Sequence, residues 1–148
     1  MTLTGVLSGA SLLVKAQNLA PDEVIKNRIA NFRKIGKAFK GIRDQVKAKD
    51  PNVALIQDLA GQIETLGSQI PTWFPPGTAD GKTNAKPAVW TERVTFEQAH
   101  MKFHTEAQKL NQLAQSGNSG EIAAQYKVLG GTCKNCHDTF RGKVDNDD

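Results

Sequence analysis

The sequence predicts an all-α fold, an antiparallel four-helix bundle. Apolar residues recur at steps of three and four through four long segments, the signature of helices that each bury one stripe. Proline and glycine punctuation divides those segments by two short connections and one long one, as an up-down bundle requires. Nothing in the chain reads as a parallel strand. With 148 residues, 39% of them apolar, there is material for one core but not two.

The first helix opens at Pro21-Asp22-Glu23. Proline costs nothing in a first turn, and acidic side chains favour the positive end of the helix dipole. Its stripe is Ile25, Ile29, Phe32, Ile35, Phe39, Ile42 and Val46, and it stops near Lys49. Asp50-Pro51 is the expected N-cap and first position of the second helix, with Val53, Ile56, Leu59, Ile63, Leu66 and Ile70 as its stripe until Pro71. Residues 71–86 are rich in Pro, Gly and Thr and read as a loop. Trp73 and Phe74 within it predict that the loop packs down onto the bundle. A third helix is expected from Pro87, carrying Trp90, Val94, Phe96, Phe103, Ala107, Leu110 and Leu113 as far as Ser116-Gly117. Asn118 with Glu121 forms an N-cap pair for the fourth, whose stripe is Ile122, Tyr126, Leu129, Cys133, Cys136 and Phe140. Gly130 and Gly131 weaken that helix one turn before the cysteines, where they would leave room for a flat ligand.

The ends differ in composition. Residues 1–16 hold a single charge, Lys15, and end in Val14-Lys15-Ala16. They read as an export signal, truncated at its charged start, or as a loose arm. The bundle then spans residues 17–148, ending in an acidic tail from Val144. Nineteen Lys and Arg against fifteen Asp and Glu give a net charge of +4. The basic residues read as scattered over helical faces without interleaved aromatics, which disfavours nucleic-acid binding. No apolar run reaches the length needed to span a bilayer.

The two cysteines of the chain stand together as Cys133-Lys134-Asn135-Cys136-His137. Cys-x-x-Cys-His is the attachment pattern of a c-type haem. Thiols three apart on a helix share a face and reach both vinyl groups, while His137 is placed to be the proximal ligand of the iron. Other readings are weaker. A thioredoxin-type pair belongs beside a strand-helix unit. Structural zinc needs four ligands, and the other histidines are only His100 and His104. A disulfide across so short a loop would stabilise little. One haem c per chain, linked through Cys133 and Cys136, is the expectation, and export suits it because c-type haem is attached outside the bacterial cytoplasm.

Several segments together resemble the cytochrome c′ family: Asp22-Glu23-Val24-Ile25-Lys26-Asn27-Arg28, Phe74-Pro75-Pro76-Gly77-Thr78, Ala85-Lys86-Pro87-Ala88-Val89-Trp90 and Cys133 through Arg141. The resemblance implies a four-helix bundle, usually a homodimer packed through its first two helices, with five-coordinate haem. It places Phe32, four residues after Arg28, as the distal side chain. Phenylalanine has no donor atom, so it can occlude the iron but not ligate it. Low-spin relatives carry methionine there, whereas the methionines of this chain are Met1 and Met101. The resemblance further implies that Arg28 meets a haem propionate, that Arg141 lies on the proximal side near His137, and that Phe74 and Asn84 touch the porphyrin.

A five-coordinate haem behind an apolar plug implies binding of NO and CO rather than stable O₂ carriage, since no distal donor polarises bound oxygen. Electron transfer with redox partner proteins is a second capability. The alternative is a six-coordinate, low-spin electron carrier of the same fold, with His100 or Met101 as candidate ligands. An enzyme is not expected, because no distal acid-base group can be named near Phe32. A bacterial periplasmic location follows from export. Exposed apolar residues such as Leu55 are candidates for a dimer interface.

Overall fold

The computed structural model describes residues 19–143. The expected export signal (1–16) and the acidic tail beyond Lys143 lie outside the described residues. The elements are α1 (Pro21–Lys47), α2 (Val53–Gly67), a 3₁₀ turn (Ile70–Trp73), α3 (Ala88–Thr91), α4 (Arg93–Ser116) and α5 (Ser119–Phe140). The four long helices form the antiparallel bundle, and their stripes meet in one core built on Ile35, Ile42, Ile56, Ile63, Phe103, Leu110, Ile122 and Leu129.

Each helix begins where its local chemistry allows. Pro21 occupies the first turn of α1, with Asp22 and Glu23 beside it. Asn118 caps α5 by accepting from the Glu121 N–H at 3.1 Å. The cap of α2 is Asn52 rather than Asp50. Its side-chain oxygen accepts from the Leu55 N–H at 3.0 Å, while its own N–H donates to the Gln45 side chain at 2.9 Å, so the turn is tied at both ends. Ile70 and Pro71 fall in the 3₁₀ turn beyond α2. Gly67 leaves α2 without a side chain because Phe103 crowds it, with a ring carbon 2.6 Å from where a Cβ would stand.

The expected third helix is two helices. The chain leaves helical geometry at Glu92 (φ −117°, ψ 46°), which separates α3 from α4. That break rotates the register, so Val94 is 71% exposed instead of buried, whereas Phe96, Phe103, Ala107 and Leu110 face the core as expected. Arg93, just after the break, donates to the Pro71 carbonyl at 2.8 Å and the Phe74 carbonyl at 3.0 Å. It thereby anchors the long loop to α4.

The basic residues are less scattered than the sequence reading has them. Lys26, Arg33, Lys37, Lys40 and Lys47 are all exposed and fall on one face of α1 at helical spacing. No aromatic residue interrupts them. No helix among the described residues is long and apolar enough to cross a membrane.

Candidate haem-binding site

Phe39 of α1 stacks on Tyr126 of α5, ring centroids 4.2 Å apart and planes 20° from parallel. Gly130 permits the approach, since a Cβ there would lie 3.2 Å from the Phe39 ring, while Gly131 faces open space. Gly130 therefore lets this seam close below the cysteines. The two helices run antiparallel, so seven residues back along α1 and seven forward along α5 both climb about 10 Å. Phe32 and Cys133 are thus brought to the same level. Taken over their whole length, α1 and α5 pack less closely than the other neighbouring long helices.

Both cysteines are free, half-buried and packed against the core. Burial, together with the neighbouring thiol, pushes the Cys133 thiol up to about 11, and burial raises Cys136 as well. His137 follows at the surface. Loss of water and then the nearby Arg141 charge lower its pKa, which favours the neutral imidazole that binds metals.

On the α1 side, the half-buried Phe32 ring meets Trp73 edge-on at 5.2 Å and tilts against Phe74 at 6.0 Å. Phe74 is 5% exposed and contacts Trp90 and Phe96 edge-on, and Phe96 meets Phe140 in turn. A continuous aromatic path therefore runs from Phe32 to the C-terminal end of α5, confirming that the loop aromatics pack down.

Arg28 is 2% exposed and holds this loop from beneath. Its Nη1 donates to the Trp73 carbonyl and Thr78 Oγ1, and its Nη2 to the Thr78 carbonyl and Thr83 Oγ1, all at 3.0–3.3 Å. The guanidinium also lies 4.4 Å from the centre of the Phe74 ring, a cation–π contact. Burial lowers its pKa, but a guanidinium stays charged at any neutral pH. Thr78, Thr83 and Trp90, whose indole N–H donates to the Pro75 carbonyl at 3.0 Å, were not singled out as site residues from the sequence. The cue was an arginine sitting on an apolar helix face without a local partner.

The expected contact residues Asn84 and Arg141 are both exposed and come together through their backbones. Ala85 pairs antiparallel with Arg141; the Gly142 N–H donates to the Asn84 carbonyl at 2.6 Å, and the Lys86 N–H to the Phe140 carbonyl at 2.8 Å. The alternative ligands lie elsewhere. Met101 is 65% exposed. His100 Nε2 is bonded to the Gly67 carbonyl of α2 at 2.8 Å, and the His104 ring lies parallel to it at 5.8 Å.

These residues fit a covalently held porphyrin: two free thiols on one helix face, a neutral imidazole one residue on, and a loosely packed seam opposite an aromatic wall. The comparisons agree. The family model Cytochrome C′ matches residues 23–141. Cytochrome c′ of Rubrivivax gelatinosus is 34% identical over 125 residues, 83% of this chain and 97% of that one. Among solved structures, a nitric oxide complex of a cytochrome c prime variant from Alcaligenes xylosoxidans superposes with a TM-score of 0.80 at 27% identity, covering 86% of this chain and all of that one. A cytochrome c′ with ligand-controlled dimer dissociation does so with a TM-score of 0.80 at 25% identity, covering 85% and 99%. The chain belongs to the cytochrome c′ family and carries haem c through Cys133 and Cys136.

Proposed function

We propose that His137 is the single protein ligand of a five-coordinate, high-spin haem iron, and that Phe32 closes the opposite side. When bound, haem c supplies an iron centre that takes up small diatomic gases and exchanges single electrons. The chain's own residues then set the selectivity. Phe32 offers bulk without a donor atom, held by Trp73 and Phe74. A neutral gas such as NO or CO gains access if that ring swings aside or if the His137 side yields, and there Arg141 stands next to the ligand. Oxygen finds no distal hydrogen-bond donor. Asn84 stands exposed at the loop edge, where the porphyrin rim would meet it; Arg28, buried under the loop and bonded four times, would meet a propionate only by giving up some of those bonds, and Phe74 backs the ring.

One observation carries the reading: Phe32 is level with Cys133 across the seam, while His100 and Met101 point to α2 and to solvent. That favours gas binding over a six-coordinate carrier, with electron transfer to redox partner proteins as the accompanying role. The nitric oxide complex of the Alcaligenes relative supports it. A bacterial periplasmic location follows from the export-type haem chemistry. A homodimer through α1 and α2 is supported by the dimeric relative and by Leu55, which is 38% exposed on α2. Anaerobic titration of the ferrous protein tests the function. NO and CO should bind stoichiometrically and O₂ should form no stable adduct; a stable oxygenated form, or failure to take up NO and CO, would refute it.

A further inference from the structure

A single hydroxyl joins the two sides of the site. Thr83 Oγ1 accepts from Arg28 Nη2 at 3.0 Å and from the Ala85 N–H at 3.1 Å. Arg28 stands one turn before Phe32 on α1. Ala85 is the residue paired with Arg141, and that pairing is fastened on either side by the Lys86–Phe140 and Asn84–Gly142 hydrogen bonds. The Arg141 N–H donates in turn to the His137 carbonyl at 3.0 Å. From the guanidinium against the Phe74 ring to the backbone of the histidine, each step is a hydrogen bond or the isolated Ala85–Arg141 bridge. Direct packing offers a poorer route, because α1 and α5 pack less closely than the other neighbouring long helices.

We propose that Thr83 is a positioning residue, whose hydroxyl sets the seat of His137 and Arg141 from α1 and so ties the distal helix to the proximal side. The chemistry is that of an outer-shell partner, which orients a metal-bound histidine without touching the metal. The hydroxyl can do this because it accepts at once from α1 and from the loop residue that is bridged to Arg141, whereas the Thr78 hydroxyl, which also contacts Arg28, is tied back to the Pro75 carbonyl, away from that bridge. The inference rests on His137 being the iron ligand.

Thr83→Val tests it, since valine keeps the shape and removes only the hydroxyl. The haem-loaded ferrous protein is read by resonance Raman for the iron–histidine stretch, and by amide hydrogen exchange at Lys86 and Gly142. The stretch should shift from its wild-type frequency. Exchange at the two amides should quicken about fivefold to tenfold, as expected for one lost hydrogen bond of about 1 kcal/mol. Thr83→Ser should restore both readouts. An unshifted stretch with exchange within about twofold of wild type would overturn the proposal. Should the valine variant fail to fold, Arg28→Lys breaks the same contact from the other side and must shift the stretch the same way. Absence of an iron–histidine band in the wild type would instead refute the His137 assignment, so the two failures are distinguishable.

Discussion

Replacing Phe32 by alanine should raise the affinity of the ferrous protein for CO. A distal ligand can enter only when the Phe32 ring leaves its contacts with Trp73 at 5.2 Å and Phe74 at 6.0 Å. Each such aromatic pair is worth about 0.5–1.5 kcal/mol beyond area burial, so the displaced state lies roughly 1–3 kcal/mol above the resting one. Apparent affinity is reduced by the fraction of molecules in the competent state, and 1–3 kcal/mol corresponds to about 5- to 150-fold. Phe32→Ala removes that penalty, so equilibrium CO titration should show Kd falling by about one to two orders of magnitude. The reduced-minus-oxidised spectrum serves as a check that the haem is intact. A Kd within about twofold of wild type would refute the reasoning, since Phe32 would then not stand in the ligand's way. A higher Kd would mean that the ring assists binding.

Other residues give further expectations. Arg28→Met should cost about 2–5 kcal/mol of unfolding free energy, because it strips four hydrogen bonds from the loop and each neutral acceptor left buried without a donor costs about 1–3 kcal/mol; urea unfolding of the haem-loaded protein measures it. His100 has its pKa lowered from 6.5, chiefly by burial. The unfolded chain therefore binds more protons, and His100's contribution to stability is complete above about pH 6.5 and lost as pH falls through the lower folded value. His100→Asn should flatten that loss in unfolding midpoints measured across the window. If α1 forms a two-fold interface, its row of exposed cations approaches its own copy. Dimerisation measured by sedimentation should then strengthen as salt rises from about 0.01 to 0.1 M, where the Debye length shrinks from about 30 to 10 Å.

Much of this was legible in the sequence, and the limits have physical causes. The four long helices and most of their core faces followed from apolar spacing, because burial on one face imposes that period. The Cys133–His137 motif named its cofactor because thioether geometry leaves little freedom. Boundaries were harder. Asp50 and Asn52 are both good caps, and the choice fell to Asn52 because Gln45, seven residues away, could accept its N–H. The break at Glu92 carries no proline or glycine. It lets Arg93 reach carbonyls about twenty residues earlier, and local patterning contains no trace of that reach. Arg28 was marked by its place on an apolar face, but the partners it clamps were invisible for the same reason, since they lie 45 to 55 residues along the chain. Phe32 is the converse case. Its position on a regular stripe reads as core, and only its place four residues after Arg28, in a segment resembling the family's first helix, singled it out.

The central claim is an iron held by His137 alone, behind Phe32. The absorption spectrum of the purified ferrous protein, recorded without added gas, tests it most directly. The account predicts a broad high-spin spectrum without sharp, split visible bands. Sharp low-spin bands would show a second protein ligand on the iron and contradict the account.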